Sequence, residues 1–184
     1  FVIILCGYFL MNLAYSFKLK DVVLLDVFVI ASGFMMRVVG GAYALNVEVS
    51  TWLVLCTLFV SLFLGFAKRR SELVHVPASG VAGRKVLRRY SVTFLDQMLT
   101  ITAAGTLISY ALYTVAPRTL QVFGTDKLIY TTVFVIYGVF RYIFLIHTTS
   151  ETERPTDVVT SDGPILTTAL LWALACILFI YFRG

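Results

Sequence analysis

Six long apolar stretches, separated by short polar segments, dominate the pattern of the chain. A helix rises about 1.5 Å per residue, so about 20 residues cross a hydrocarbon core of about 30 Å. The stretches are continuously apolar rather than alternating, which favours helices over the strands of a barrel. The pattern therefore predicts six transmembrane helices, over residues 1–17, 22–45, 51–67, 94–115, 128–146 and 164–182.

The composition of the 184 residues agrees with a membrane protein. Hydrophobic residues make up 59% of the chain and charged residues 14%, whereas a soluble domain usually has about 45–50% and about 25%. A disordered chain, a disulfide scaffold and an ordinary soluble globule are therefore poor fits. We predict one all-α integral membrane domain over residues 1–184. Because the chain opens inside an apolar run without an initiator methionine, we expect it to be N-terminally truncated.

The basic residues lie mainly on one side of the predicted membrane map. Alternate loops, starting after the first helix, contain most of them: Lys18, Lys20, Lys68, Arg69, Arg70, Arg84, Lys85, Arg88, Arg89 and Arg154. The opposite loops contain only Arg118, Lys127 and Arg183. The positive-inside rule places the first set in the cytoplasm. Such a face suits phosphate groups, whereas nucleic acid is disfavoured because no recognition fold accompanies the charges.

The predicted helix 22–45 contains two ionisable residues, Asp26 and Arg37, in an otherwise apolar span. Each costs at least about 2.5–3.5 kcal/mol at the centre of a membrane helix, so both should face protein or water. Their spacing of eleven positions puts them on one face of the helix. Asp26 is either a site residue or an orienting cap, and both interpretations stay open. For Arg37 a structural interhelical bond is favoured.

Two basic segments border the predicted helices on the same side. Lys18 and Lys20 could hold a diphosphate, although snorkelling lysines are common at helix ends. The run Lys68-Arg-Arg-Ser-Glu72 offers arginine forks for phosphate oxygens, but composition alone favours a positive-inside stop signal. If the preceding helix extends by one turn, Lys68 and Glu72 form an i,i+4 pair.

A third polar cluster is the loop 141–162, which contains Arg141, His147 and several carboxylates. One histidine without a paired nucleophile supports no hydrolase triad. Taken together, the three clusters predict a cavity for a phosphorylated substrate that faces the cytoplasm.

Several of these segments resemble a known family. Tyr15-Ser-Phe-Lys-Leu-Lys-Asp and the later Leu25-Asp26-Val27 are similar to UbiA-type intramembrane prenyltransferases. Further segments resemble the decaprenyl-phosphate phosphoribosyltransferase branch of that family: Phe66-Ala-Lys-Arg-Arg-Ser-Glu-Leu, Arg89-Tyr-Ser-Val-Thr-Phe-Leu-Asp-Gln and Tyr137-Gly-Val-Phe-Arg-Tyr-Ile-Phe-Leu-Ile-His. The resemblance covers nearly the whole chain, in order.

The resemblance implies a bundle of nine transmembrane helices, of which the six predicted here are the last six. It also implies that an Asn/Asp-rich motif, which binds Mg²⁺ and the diphosphate, lies upstream, so no metal ligand is expected in this stretch. Alone, the stretch is expected to be inactive. Most UbiA relatives have a second acidic motif where this chain has Lys68-Arg-Arg-Ser-Glu72, and the phosphoribosyltransferase branch has a similar basic motif there. This departure favours a sugar phosphate over a prenyl diphosphate.

The activity that the resemblance implies joins the ribose carbon of phosphoribosyl diphosphate to a polyprenyl (decaprenyl) phosphate, which releases diphosphate and supplies a precursor of cell-wall arabinan. Mg²⁺ is the expected cofactor. The expected location is the bacterial cytoplasmic membrane, with the active site facing the cytoplasm. The expected catalytic residues are Asp21, Asp26 and Glu72. The expected substrate-binding residues are Tyr15, Lys18, Lys20, Lys68, Arg69, Arg70, Tyr90 and Arg141.

Two other functions stay open at this point. A related UbiA-type enzyme would move a prenyl chain from its diphosphate to an aromatic acceptor, and the basic motif argues against it. A non-catalytic transporter or subunit is the alternative from another class, although the sequence has no internal repeat of the kind that transporters often have. The sequence does not fix the oligomeric state, and a homo-oligomer is compatible with it.

Overall fold

The computed structural model describes residues 2–74, 85–148 and 160–182. The α-helices that lie wholly within these ranges are α1 (Val2–Phe17), α2 (Leu25–Ala44), α3 (Thr51–Val74), α4 (Val92–Val115), α5 (Pro117–Phe123), α6 (Thr132–Thr148) and α7 (Gly163–Tyr181). Short 3-10 helices, Leu19–Asp21, Lys85–Arg89 and Lys127–Thr131, precede α2, α4 and α6. No strand occurs in these described ranges, and the all-α prediction is confirmed.

Five described segments are long and apolar enough to cross a membrane: α2, α3, α4, Lys127–Thr148 and α7. Helix α1 is apolar but shorter than a full span. The count of six transmembrane helices is therefore not confirmed, because the first predicted span falls short in length. The long apolar helices nevertheless identify a polytopic membrane protein.

Predicted and observed helix ends differ most at α3. The sequence predicted an end at residue 67, directly before the charged run, but α3 continues to Val74. The helix accommodates these charges because Arg69 is buried against two carboxylates, one of which is Glu72 on the same helix. Residues 75–84 and 149–159 lie outside the described ranges, and with them Arg84, Arg154 and the carboxylates of the loop 141–162 other than Asp162.

The short helix α5 was not predicted, although its sequence has the usual signals at both ends. Pro117 opens the helix, at a position where its missing N–H has no intrahelical partner to lose. Gly124 ends it with a φ of 64°, a conformation that glycine adopts readily. A hydropathy pattern tuned to long spans overlooks a helix of this length.

The chain forms two compact units, Phe1–Thr106 and Leu107–Gly184. In the first unit, α2 packs against both α1 and α3. Gly65 on α3 permits a close approach to α2, since a Cβ there would lie 2.6 Å from Cγ1 of the fully buried Val27. A small residue at this position therefore sets the spacing of the two helices that carry the polar residues described below.

In the second unit, α6 packs against α7, and a set of hydrogen bonds links their surroundings. The Tyr110 hydroxyl lies 2.7 Å from Thr131 Oγ1 and accepts a hydrogen bond of 2.7 Å from Trp172 Nε1. This bond gives the Trp172 indole N–H an acceptor near the middle of an apolar helix, where surrounding lipid would offer none.

Candidate functional site

A buried ion pair joins the start of α2 to the end of α3. Asp26, in the first turn of α2, is 0% exposed, and Arg69 is 1% exposed. Arg69 Nε donates to Asp26 Oδ2 over 2.6 Å. Burying either charge alone would be strongly unfavourable, so each explains the presence of the other.

Tyr90 provides the second hydrogen-bond partner of Asp26. Its hydroxyl donates to Asp26 Oδ1 over 2.8 Å and accepts a hydrogen bond of 2.7 Å from the backbone N–H of Leu24. Both oxygens of Asp26 are therefore engaged, one by Arg69 and one by Tyr90. The phenol lies in the segment between the 3-10 helix Lys85–Arg89 and α4, far along the sequence from α2.

Glu72 extends the cluster toward the surface. Arg69 Nη1 donates to Glu72 Oε2 over 2.6 Å, and the Glu72 side chain is 30% exposed. The sequence suggested a pair between Lys68 and Glu72, but the structure pairs Glu72 with Arg69, whose side chain points into the protein while Lys68 is exposed. We call Asp26, Arg69, Glu72 and Tyr90 the Asp26 network.

The neighbouring arginine makes a separate contact. Arg70 forms an ion pair of 2.5 Å with Asp96 in the first turns of α4, which links the ends of α3 and α4. Sequence reasoning missed Asp96, although it lies inside a predicted apolar helix, the same signal that singled out Asp26. The two arginines of the basic run thus bind different carboxylates on different helices.

The lysine-containing link between α1 and α2 lies beside this network. The 3-10 helix Leu19–Asp21 packs against α1, α2 and the 3-10 helix Lys85–Arg89. Lys18 and Asp21 are exposed, whereas Lys20 and the Tyr15 side chain are half-buried. The structure therefore brings most of the predicted site residues into the first unit.

Two predicted polar residues lie outside the network. Arg37 donates from Nη2 to the Tyr8 hydroxyl over 2.6 Å, an interhelical bond of the kind favoured from the sequence. Arg141 belongs to the second unit, where Nη2 lies 3.0 Å from Oδ2 of Asp162. Asp162 also caps α7 by accepting from the backbone N–H of Ile165.

Tyr90 and Asp162, which lie outside the membrane-spanning helices, have displaced pKa values. Burial raises the pKa of Tyr90 to about 12, and its hydrogen bond to Asp26 acts in the same direction. The Tyr90 phenol therefore stays protonated at neutral pH and serves as a hydrogen-bond donor rather than a base. In the second unit, the hydrogen bond from Arg141 lowers the pKa of Asp162 below its ordinary value, and the Ile165 N–H adds to this effect.

The described residues do not form a metal site. Within residues 2–74, 85–148 and 160–182, no group of three or more His, Cys, Asp or Glu side chains is arranged to hold a metal ion. The carboxylates of the Asp26 network face a guanidinium instead. The prediction that a metal-binding motif lies upstream stays a prediction.

The long apolar helices, together with a cluster of paired charges at helix ends, define a polytopic α-helical membrane protein. No family model matches the chain. It is 29% identical over 177 residues to the decaprenyl-phosphate phosphoribosyltransferase of Corynebacterium glutamicum, which covers 95% of this chain and 52% of that protein. The protein of the same name from Mycolicibacterium smegmatis is 33% identical over 111 residues, which covers 60% of this chain and 35% of the relative.

A relative of the same name from Mycobacterium tuberculosis is 32% identical, again over 111 residues, with 60% of this chain and 37% of the relative covered. The chain is therefore homologous to proteins named decaprenyl-phosphate phosphoribosyltransferase, and the resemblance predicted from its motifs is confirmed. It spans about half the length of the relative from Corynebacterium glutamicum, and less of the other two.

Proposed function

We propose that the protein containing this chain transfers 5-phosphoribosyl from phosphoribosyl diphosphate to decaprenyl phosphate or a similar polyprenyl phosphate. The observation that carries the proposal is the match of 95% of the chain to a relative named for this activity. The basic end of α3 agrees with it chemically, because both substrates present phosphate groups to lysine and arginine side chains.

In the proposed reaction a phosphate oxygen of the lipid forms a bond to C1 of the ribose. The bond from C1 to the diphosphate breaks, and its electron pair leaves with the diphosphate. Lys18, Lys20 and Lys68 are proposed to bind phosphate groups, since their ammonium groups lie at or near the surface of the first unit. Asp21 and the partly exposed Glu72 are the carboxylates proposed to stabilise positive charge that develops at C1.

Asp26 and Arg69 have a different proposed part in the reaction. Asp26 is fully buried with both oxygens hydrogen-bonded, and Arg69 is buried between Asp26 and Glu72. We therefore assign them to orienting Glu72 rather than to contacting substrate. This differs from the role expected from sequence, because the sequence does not report that the Arg69 side chain turns inward.

The remaining proposed ligands are Tyr15, Arg70 and Arg141. Arg70 and Arg141 each hold a carboxylate, Asp96 and Asp162 respectively. Binding of a phosphate by either arginine requires that it share or exchange this partner. Tyr15 is a half-buried hydroxyl near the end of α1 and is proposed as a hydrogen-bond donor to substrate.

Mg²⁺ is part of the proposal through the resemblance to UbiA-type enzymes. When bound, it would neutralise charge on the leaving diphosphate. The carboxylates nearest the basic end of α3 do not fit such an ion, since they are already paired with arginines. The ligands are proposed to lie in the part of the protein that this chain does not include.

We also propose that the protein lies in the bacterial cytoplasmic membrane, with its active site on the cytoplasmic face. Phosphoribosyl diphosphate is a water-soluble anion, and the basic loops that would bind it are on the face that the positive-inside rule assigns to the cytoplasm. A homo-oligomer is compatible with this arrangement.

The assay uses membranes that contain the full-length protein, labelled phosphoribosyl diphosphate, Mg²⁺ and decaprenyl phosphate. Label should enter the lipid extract, and it should fail to do so when EDTA removes the metal. If folded protein is present and no label enters lipid, the proposal is wrong, and prenyl diphosphates with aromatic acceptors become the next substrates to test.

Lys68→Ala tests the basic end of α3 within this assay. Losing one charge-assisted contact to phosphate should lower kcat/KM by about tenfold or more. Lys127→Ala is the matched control, because it removes the same charge from an exposed position in the second unit and should leave kcat/KM unchanged. Equal effects of the two substitutions would contradict a specific role for Lys68.

A further inference from the structure

The link between α1 and α2 ends in a residue with an unusual backbone conformation. Leu24, which immediately precedes α2, has φ 69° and ψ −44°. Positive φ is uncommon for residues with a side chain and is typically maintained only where surrounding contacts enforce it. The Leu24 side chain is 36% exposed, so its own packing does not account for the conformation.

The Leu24 carbonyl accepts from the N–H groups of α2, and the Leu24 N–H is bound by Tyr90. The phenol oxygen accepts the Leu24 N–H over 2.7 Å and donates its proton to Asp26 over 2.8 Å. One hydroxyl thus binds the last residue of the link and the first turn of α2 together. Because a phenol has a single proton to donate, Tyr90 cannot donate to a substrate while this arrangement is intact.

The position of the lysines depends on the same link. Lys18 and Lys20 lie only a few residues before Leu24, and the 3-10 helix Leu19–Asp21 packs against the 3-10 helix Lys85–Arg89 that leads to Tyr90. A change of φ at Leu24 redirects the chain that enters α2, and with it the two ammonium groups.

We infer that Tyr90 is a positioning residue: it holds the positive-φ turn at Leu24 and thereby fixes Lys18 and Lys20 for binding of the phosphoribosyl diphosphate. The inference rests on the proposed function for its kinetic consequence. Its structural part, the hold on Leu24, stands independently of any substrate.

The substrate-independent test is amide hydrogen exchange in the full-length protein in nanodiscs. Tyr90→Phe removes one oxygen and retains the ring, which stacks on Phe94 with centroids 6.0 Å apart. Losing the acceptor of the Leu24 N–H should speed exchange at Leu24 by about tenfold or more. Tyr110→Phe, which loses a comparable hydroxyl in the second unit, should leave Leu24 unchanged. Unchanged exchange at Leu24 in Tyr90→Phe would overturn the inference.

The kinetic test separates positioning from direct catalysis. Weakened binding of the substrate in ground and transition states alike raises KM and leaves kcat unchanged, so Tyr90→Phe should raise KM for phosphoribosyl diphosphate by about fivefold or more. A lower kcat with unchanged KM would overturn the inference, because that result fits either a catalytic contact or a reduced folded fraction. If the wild-type protein transfers no phosphoribosyl group, the proposed function fails while the exchange result still decides the hold on Leu24.

A rescue variant tests the backbone argument directly. Glycine adopts positive φ without steric cost, so Leu24→Gly in the Tyr90→Phe background removes the need for the hydroxyl. The double variant should reverse at least about half of the increase in log KM that Tyr90→Phe causes. Leu24→Ala in the same background should reverse none of it, since alanine keeps the cost of positive φ. Equal KM values for these two double variants would contradict the mechanism.

Discussion

Arg69 determines the polar interior of the first unit. Its side chain is 1% exposed, and a guanidinium removed from water without partners would be strongly disfavoured. Asp26 and Glu72 each accept one of its N–H groups over 2.6 Å. The ion pair therefore ties the first turn of α2 to the end of α3, and each charge is tolerated only while the other is present.

Asp26→Ala should be strongly destabilising, because it leaves the Arg69 guanidinium buried without its main partner. Removing one member of a buried pair typically costs about 3–5 kcal/mol. Thermal unfolding of the detergent-solubilised protein measures the loss. The double variant Asp26→Leu with Arg69→Met removes both charges and should recover most of it, so a double variant as unstable as the single one would contradict this account.

Residue types singled out Asp26 and Arg69, and the family resemblance added Tyr90, but neither predicted the bonds between them. An aspartate within an apolar helix stands out in the sequence, and because a buried carboxylate needs a partner, the sequence predicts that one exists. The partner is not visible, since Arg69 is 43 and Tyr90 64 positions away and the contacts depend on how the helices pack. Asp96 shows that the same signal was present and overlooked in α4.

At the scale of elements, the spacing of α2 and α3 depends on a single glycine. A Cβ at Gly65 would lie 2.6 Å from Cγ1 of Val27, which is fully buried and, being β-branched, has little freedom to turn away. Either the valine or one helix must move to admit a larger residue.

Gly65→Ala should therefore destabilise the protein by about 1–3 kcal/mol through overpacking. The higher helix propensity of alanine offsets up to about 1 kcal/mol of this loss. Adding Val27→Ala opens space and should reverse part of the loss. Gly138→Ala in α6 is the control, because apart from the local backbone of α6 no described atom lies within 4 Å of the added Cβ, and it should be neutral or stabilising. Thermal unfolding of the three variants compares them, and a Gly65→Ala variant as stable as Gly138→Ala would refute the close-approach argument.

Hydropathy located the centres of the long helices and misplaced some of their ends. Helix α3 extends through the charged run to Val74 because ion pairs such as Arg69–Asp26 stabilise the charges there. The start of α6 is preceded by a 3-10 helix, Lys127–Thr131, and hydropathy does not distinguish its apolar residues from those of a continuing α-helix. A helix end is set by local hydrogen bonding and pairing, whereas hydropathy reports only transfer from water to lipid.

At the scale of the whole molecule, the distribution of basic residues among the loops predicts the membrane topology. The basic loops predicted to face the cytoplasm include Arg88, and the link between α2 and α3, which contains Asn46, is predicted to face the other side. Both residues are exposed in the structure, so a cysteine at either position can react with a label. The proposed reaction requires this orientation, because its soluble substrate is a cytoplasmic anion.

The topology can be measured in the full-length protein after Cys6, Cys56 and Cys176 are replaced by alanine. A membrane-impermeant maleimide should label Asn46→Cys in intact cells with a permeabilised outer layer, and should label Arg88→Cys only after the cytoplasmic membrane is opened. The excess of lysine and arginine in one set of loops favours this result, since positively charged loops are retained on the cytoplasmic side during insertion. The reverse labelling pattern would place the Asp26 network and the three lysines on the outer face, where phosphoribosyl diphosphate is not supplied, and would contradict the proposed function together with the topology.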